Sequence, residues 1–338
     1  MVVGLVILAY AVKVYSKYKI AHSLRVHKEI KRLLMESVDN SRDVNPKLLL
    51  KLKRYIETII AIINELDASI DQKKWPGIRK SIIEHIILPQ ALIWAKKRAW
   101  HKRYIACKAF GLSLNDLDEP TLKSLINDPV PLVAINAATL AIHCRSQPLI
   151  DAVIDSFQKS RRIRQSLYAQ VISTADKTII PLIKHRLLRE TNPYIKAFCY
   201  RTLTELPSIS ETIKTTSKDL ESENLDLKLS VMAYLRHTEP KSSKALFASL
   251  LKDNHWEVRA KSAKLLGDIG DKASACSLED CLKDKEWWVR INAAQSLAKL
   301  GPTGILILKR QNPSVDQFAY EVSMQVLSIH DSQNMYPN

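Results

Sequence analysis

DNHWEVRAKSAKLLGDIG, residues 253–270, and DKEWWVRINAAQSLAKLG, residues 284–301, lie over one another without a gap, and seven of their eighteen positions are identical. The matches are Asp253/Asp284, Trp256/Trp287, Val258/Val289, Arg259/Arg290, Ala263/Ala294, Leu266/Leu297 and Gly270/Gly301, each pair 31 residues apart. Self-similarity at a fixed period of this length predicts a solenoid. One such unit cannot bury its own apolar face, so its neighbours must cover it.

With the Val258 position as anchor, units fall at Lys102, Val133, Ile163, Ile195, Leu227, Val258, Val289 and, most loosely, Phe318, at gaps of 31, 30, 32, 32, 31, 31 and 29 residues. Val133-Ala134-Ile135-Asn136-Ala137-Ala138 repeats the string at 289–294 with one change. Loop breakers between units are read at Pro120, Pro129, Pro148, Pro181, Pro193, Pro207, Pro240 and Pro313. Only 7 Gly and 5 Phe, long Leu/Ile/Ala/Lys stretches and no alternating apolar run favour helix over strand throughout. The expectation is an all-α, right-handed superhelix of about seven to eight repeats over 93–330, ending in a polar tail at 331–338.

The pattern of an Asp, then Val-Arg, then Ala-Ala, then Leu-Gly resembles HEAT repeats, in particular the short bacterial type called phycobilisome-lyase HEAT-like. The resemblance is sharpest over 245–301, fair over 120–240 and faint before residue 95. It implies antiparallel helix pairs with second helices on the concave side, and it implies no single activity. HEAT-repeat hydroxylases of the deoxyhypusine type use His-Glu dipeptides to hold iron, and this sequence has no such dipeptide. Walker A, HExxH, GxSxG and Gly-rich dinucleotide motifs are also missing from it. The five cysteines are scattered without metal spacing and read as small core residues. No enzyme activity, metal or cofactor is expected.

The net charge of +16 is unevenly spread: residues 1–110 hold 22 Lys/Arg against 9 Asp/Glu, residues 111–338 hold 29 against 26. A solenoid wrapping DNA or RNA would carry its excess along its whole length, because phosphate neutralisation dominates that affinity. Here the basicity belongs to the first third. It follows MVVGLVILAYAV, residues 1–12, which is apolar on every side of a helix. Twelve residues reach only about 18 Å of a roughly 30 Å hydrocarbon core. Continued through Val14, Tyr15 and Tyr18, with Lys13 snorkelling, residues 1–20 approach a spanning length. The following cations, Lys13 to Arg32, place the remainder on the cytoplasmic side. The expectation is a single-pass anchor in the inner membrane and a basic helical region over 21–92. The alternatives are a buried first helix capping the solenoid, in a soluble cytoplasmic protein, and a cleaved signal, which lacks its positive leading region.

Three sets of residues are candidate contact sites. The position after each anchor forms a cation ladder of Arg103, Arg164, Lys196, Lys228, Arg259 and Arg290, with alanine at 134 and 319. It is either a basic groove for an acidic partner or half of a set of stacking pairs with Asp128, Glu190, Asp253 and Asp284, which stand five residues before an anchor. Trp256 and Trp287 share a repeat position and suit packing, whereas Trp288 has no counterpart and suits an exposed contact. Lys96, Lys97, Arg98, His101, Lys102 and Arg103, interleaved with Trp94, Trp100 and Tyr104, suit anionic headgroups, an acidic partner or, less well, nucleic acid. Together these features predict a membrane-tethered adaptor whose concave face binds a protein partner. A nucleic-acid binder resembling the HEAT-like alkylpurine glycosylases is the first alternative, and a lyase-like modifier of a partner protein is the second.

Overall fold

The computed structural model describes residues 2–39, 52–68, 75–113, 118–159, 170–172, 175–206 and 216–335, and within them every regular element is helical. The chain forms two compact units, Met1–Val171 and Ile172–Asn338.

In the first unit, α1 (Val2–Asp39) is one uninterrupted helix containing both the apolar run and the basic stretch. Its side chains at 17–25 are exposed, and burial begins at Ile30 and Leu34, where it packs on α2 (Ile56–Asp67). His27 and Lys31 both reach Glu65, at 3.1 and 3.0 Å. Among the described residues no helix is long and apolar enough to cross a membrane. A membrane-spanning anchor over residues 1–20 is therefore not supported. Lys13, Lys17 and Lys19 end the apolar run after too few turns, and the orientation drawn from it loses its basis. Asn45-Pro46, which by residue type suits a helix cap and first turn, lies outside the described residues.

Trp75-Pro76-Gly77, whose proline and glycine disfavour a helix interior, opens α3 (Trp75–Ile82), where proline's missing N–H falls in a first turn that needs no donor. A π turn, Ile83–Ile87, joins α3 to α4 (Leu88–Ala95), with the Leu88 N–H donating to the Ile83 carbonyl. Pro89 explains it: an α turn would press the proline ring against a carbonyl it cannot bond, and the wider turn relieves that clash. There follow α5 (Trp100–Phe110), α6 (Glu119–Ile126), α7 (Pro131–Cys144) and α8 (Gln147–Lys159). Val133, Ala134, Ala137, Ala138 and Ala141 on α7 are fully buried, and their small size lets α5 and α7 pack directly.

The second unit contains α9 (Ile180–Arg189), α10 (Pro193–Glu205), α11 (Thr216–Leu220), α12 (Leu225–Thr238), α13 (Lys244–Leu250), α14 (Trp256–Ile269), α15 (Ala275–Cys281), α16 (Trp287–Lys299), α17 (Pro302–Lys309) and α18 (Gln317–Met335). First and second helices alternate as the period requires. The second helices form the tight row: α10 packs on α12, α12 on α14 and α14 on α16. Anchors Ile195, Leu227, Val258 and Val289 are buried. Two expected anchors are displaced. Phe318 is 61% exposed while Ala319 is fully buried, so the last unit is shifted by one residue. Lys102 sends its ammonium to Glu57, and Ala106 and Cys107 fill the core beside it. Ile163 lies outside the described residues.

Several of the supposed breakers are helix starters: Pro120, Pro148, Pro181 and Pro193 all stand in first turns. The matched glycines mark the other helix ends. Gly270 and Gly301 have φ of 74° and 75°, which an L side chain rarely adopts. Arg145, twelve residues after its anchor as they are after theirs, takes φ 53° at the same place.

Candidate functional site

The cation ladder is a set of rungs between consecutive second helices and the loops that follow them. Arg103 on α5 puts Nε 2.5 Å from Asp128 Oδ2, and Arg259 on α14 puts Nε 2.6 Å and Nη2 2.9 Å from the two Asp284 oxygens. Lys228 on α12 donates to Asp253 at 2.7 Å, and Lys196 on α10 donates to Asp219 at 2.6 Å. The arginines do more. Arg103 Nη1 donates to the carbonyls of Lys97 and Arg98, Arg259 Nη1 to those of Asp253 and Asn254, and Arg290 Nη1 to those of Asp284 and Lys285. One guanidinium thus holds the loop before its own helix and the aspartate of the next repeat. The fork geometry permits this, and a lysine ammonium, with its single nitrogen, makes only the second contact.

Each aspartate is also built into its loop. Asp128, Asp253 and Asp284 accept from the backbone N–H two residues on, at Val130, His255 and Glu286. Two rungs depart from the expected pattern. Asp219, three residues upstream of the position read from the repeat, takes Lys196 and the Tyr200 hydroxyl. Only its sequence separation from Lys196, 23 residues against 25 elsewhere, marks it. Glu190 is taken by Arg186 on its own helix and by the N–H groups of Thr191 and Asn192. Arg164 lies outside the described residues.

Burial alone would raise the Asp253 and Asp284 carboxyls, but hydrogen bonds from Lys228 and Arg259 and from backbone N–H groups hold both below the ordinary carboxylate range. Their contribution to stability is therefore present above the unfolded-state value of about 4 and is lost as pH falls through the lower folded values. The thermal midpoint should hold steady from pH 8 to 5 and drop below about pH 4. Scanning calorimetry across that range checks it, and Asp284→Asn should flatten part of the slope.

The basic-aromatic cluster divides. Lys102 pairs with Glu57 at 2.8 Å and lies 4.6 Å over the Trp94 ring, while Arg103 is committed to Asp128. Lys96, Lys97, Arg98 and His101 are exposed around the loop between α4 and α5, beside Ile93 and Trp100, which are also exposed. At the start of α16, Trp287 and Trp288 meet edge to face at 4.8 Å and are 43% and 55% exposed.

Among the described residues no group of three or more His, Cys, Asp or Glu is placed to hold a metal ion. Burial pushes the Cys107 and Cys281 thiols up to about 12, which leaves them inert at neutral pH.

Residues 214–298 and 243–315 match the family model for HEAT repeats. This part of the chain is built of HEAT repeats. The match names the repeat in general and not the short bacterial subtype. No curated protein sequence matches the chain. Among solved structures, human deoxyhypusine hydroxylase in complex with glycerol is 14% identical at a TM-score of 0.32, covering 76% of this chain and 98% of its own. An engineered protein is 14% identical at 0.37, covering 91% and 96%. A Kap121p mutant is 10% identical at 0.37; 84% of this chain is covered, against 41% of that one.

Proposed function

We propose that the chain is a protein-binding scaffold whose HEAT repeats present a contact surface at the start of α16. The observation that carries this reading is the exposed Trp287–Trp288 pair. The second unit buries its anchors and neutralises its inner rungs, yet leaves two adjacent indoles in water. Large aromatic side chains left exposed side by side favour a partner that covers them, and tryptophan is enriched among residues that dominate binding energy. The nucleic-acid alternative draws on Lys96 to Arg103 and on the cation ladder. Lys196 and Lys228 are neutralised by Asp219 and Asp253, which weakens the ladder's part in it.

A photo-crosslinking residue, p-benzoylphenylalanine, placed at Trp288 in the full chain should give a discrete protein adduct in the cells that make it. The same residue at exposed Lys272 is the control. No adduct at 288 above that control would refute the reading.

A further inference from the structure

The last rung of the ladder has no carboxylate. Arg290 is only 9% exposed, and its Nη1 is held by the Asp284 and Lys285 carbonyls at 2.8 and 3.1 Å, as Arg259 Nη1 is held by its own loop at 2.9 and 3.2 Å. The guanidinium is therefore set as Arg259's is. Where Arg259 Nε meets Asp284, however, Arg290 Nε is buried without a hydrogen-bond partner. The sequence explains the gap. Asp128, Asp253 and Asp284 stand 25 residues after Arg103, Lys228 and Arg259, whereas 25 residues after Arg290 stands Val315, 76% exposed, and five residues before the shifted anchor Ala319 stands Ser314. Asn312 takes over the loop role, accepting from the Ser314 N–H, with an amide in place of the charge.

A buried arginine N–H without an acceptor is costly, and structures seldom keep one without a use. Arg290 does have a neighbour: the Phe318 ring lies 5.0 Å from the guanidinium carbon. That contact uses the face of the cation, whereas hydrogen bonds lie in its plane, so stacking leaves the buried Nε without an acceptor. Trp287 stands three residues before Arg290 on the same helix, and it and Trp288 beside it are exposed.

We infer that Arg290 is a recognition site for an aspartate or glutamate side chain presented by a protein partner, which adds the missing rung as Asp284 does for Arg259. Trp287, Trp288 and Phe318 cover the apolar residues that flank the acid. A protein segment is favoured over a free carboxylate because the rungs inside the stack show the same pairing, with the acid held in a loop that a tryptophan follows three residues later, as in Asp253/Trp256 and Asp284/Trp287. The inference rests on the protein-binding reading and names the chemistry of its partner.

The probe is a peptide copying residues 282–289, Leu-Lys-Asp-Lys-Glu-Trp-Trp-Val, added to the full-length chain labelled with 15N at arginine. The Arg290 Nε–H resonance should move downfield and saturate. The peptide with asparagine for aspartate should bind at least tenfold more weakly, as should the Arg290→Gln protein, with Arg290→Lys in between. Circular dichroism establishes that both variants are folded, and the asparagine peptide tests the site without altering the protein at all. Equal binding of the two peptides, a shift elsewhere but none at Arg290, or full binding by Arg290→Gln overturns the proposal. Mutual binding of two copies of the chain, seen as a concentration-dependent Arg290 shift without peptide, also overturns it. Crosslinking at residue 288 is independent of these results, so an adduct there with equal peptide binding leaves the scaffold standing and removes only acid recognition.

Discussion

Asp284→Ala should destabilise the second unit by about 3–5 kcal/mol, the range for a buried ion pair broken from one side. The loss has two sources. Arg259, 8% exposed, keeps its charge with Nε and Nη2 unmet, and the Glu286 N–H loses its acceptor. For a unit of this size the thermal midpoint should fall by on the order of 10 °C. Asp284→Asn keeps an oxygen for the Glu286 N–H and should fall between the two. Urea denaturation of the full chain measures both, and an alanine variant within about 0.5 kcal/mol of the parent, the usual effect of a surface change, would show that the rung does not hold α14 to the following loop.

Gly267→Ala should also destabilise, although helix propensity alone predicts a gain of about 1 kcal/mol. A Cβ at residue 267 on α14 would lie 2.4 Å from Ser296 Cβ and 2.6 Å from Ser296 Cα on α16. The second contact is backbone, so one second helix must move off the other, at a cost of about 1–3 kcal/mol or more. Trimming the neighbour tests the geometry: Gly267→Ala with Ser296→Gly should recover only part of the loss, since the Cα clash remains. A single variant more stable than the parent in denaturant melts would sink the claim that α14 and α16 touch through this glycine.

The parts of this architecture legible in the sequence are those on which the 31-residue period acts directly. Asp253, Asp284, Val258, Val289, Gly270 and Gly301 each do one job at a fixed place in a repeated unit, so copies reveal them. Features that break the period stayed hidden. Asp219 supplies a rung from a different place in its unit, and the exposed Phe318 shows that the last unit has slipped by one residue. Pro89 shows the limit of residue type: an imino acid in a helix forces a local change without dictating a π turn. The apolar first twelve residues invited a membrane span, but the helix they belong to continues through a basic stretch that composition alone does not divide. The candidate site was visible only as residue types. Arg290 belongs to the ladder by sequence, and only the unmet Nε sets it apart from Arg259.

The rungs also differ in mechanical character. Lys228 holds Asp253 through one nitrogen, a joint that can swivel, whereas Lys196 and Tyr200 together hold both oxygens of Asp219, and Arg259 grips both oxygens of Asp284 and two loop carbonyls, joints that resist rotation. Compliance within the second unit is therefore graded. Under load the single-nitrogen rung from α12 to the loop before α14 should turn first, while the arginine rung keeps α14 fixed to the loop that leads into α16 and its two exposed indoles.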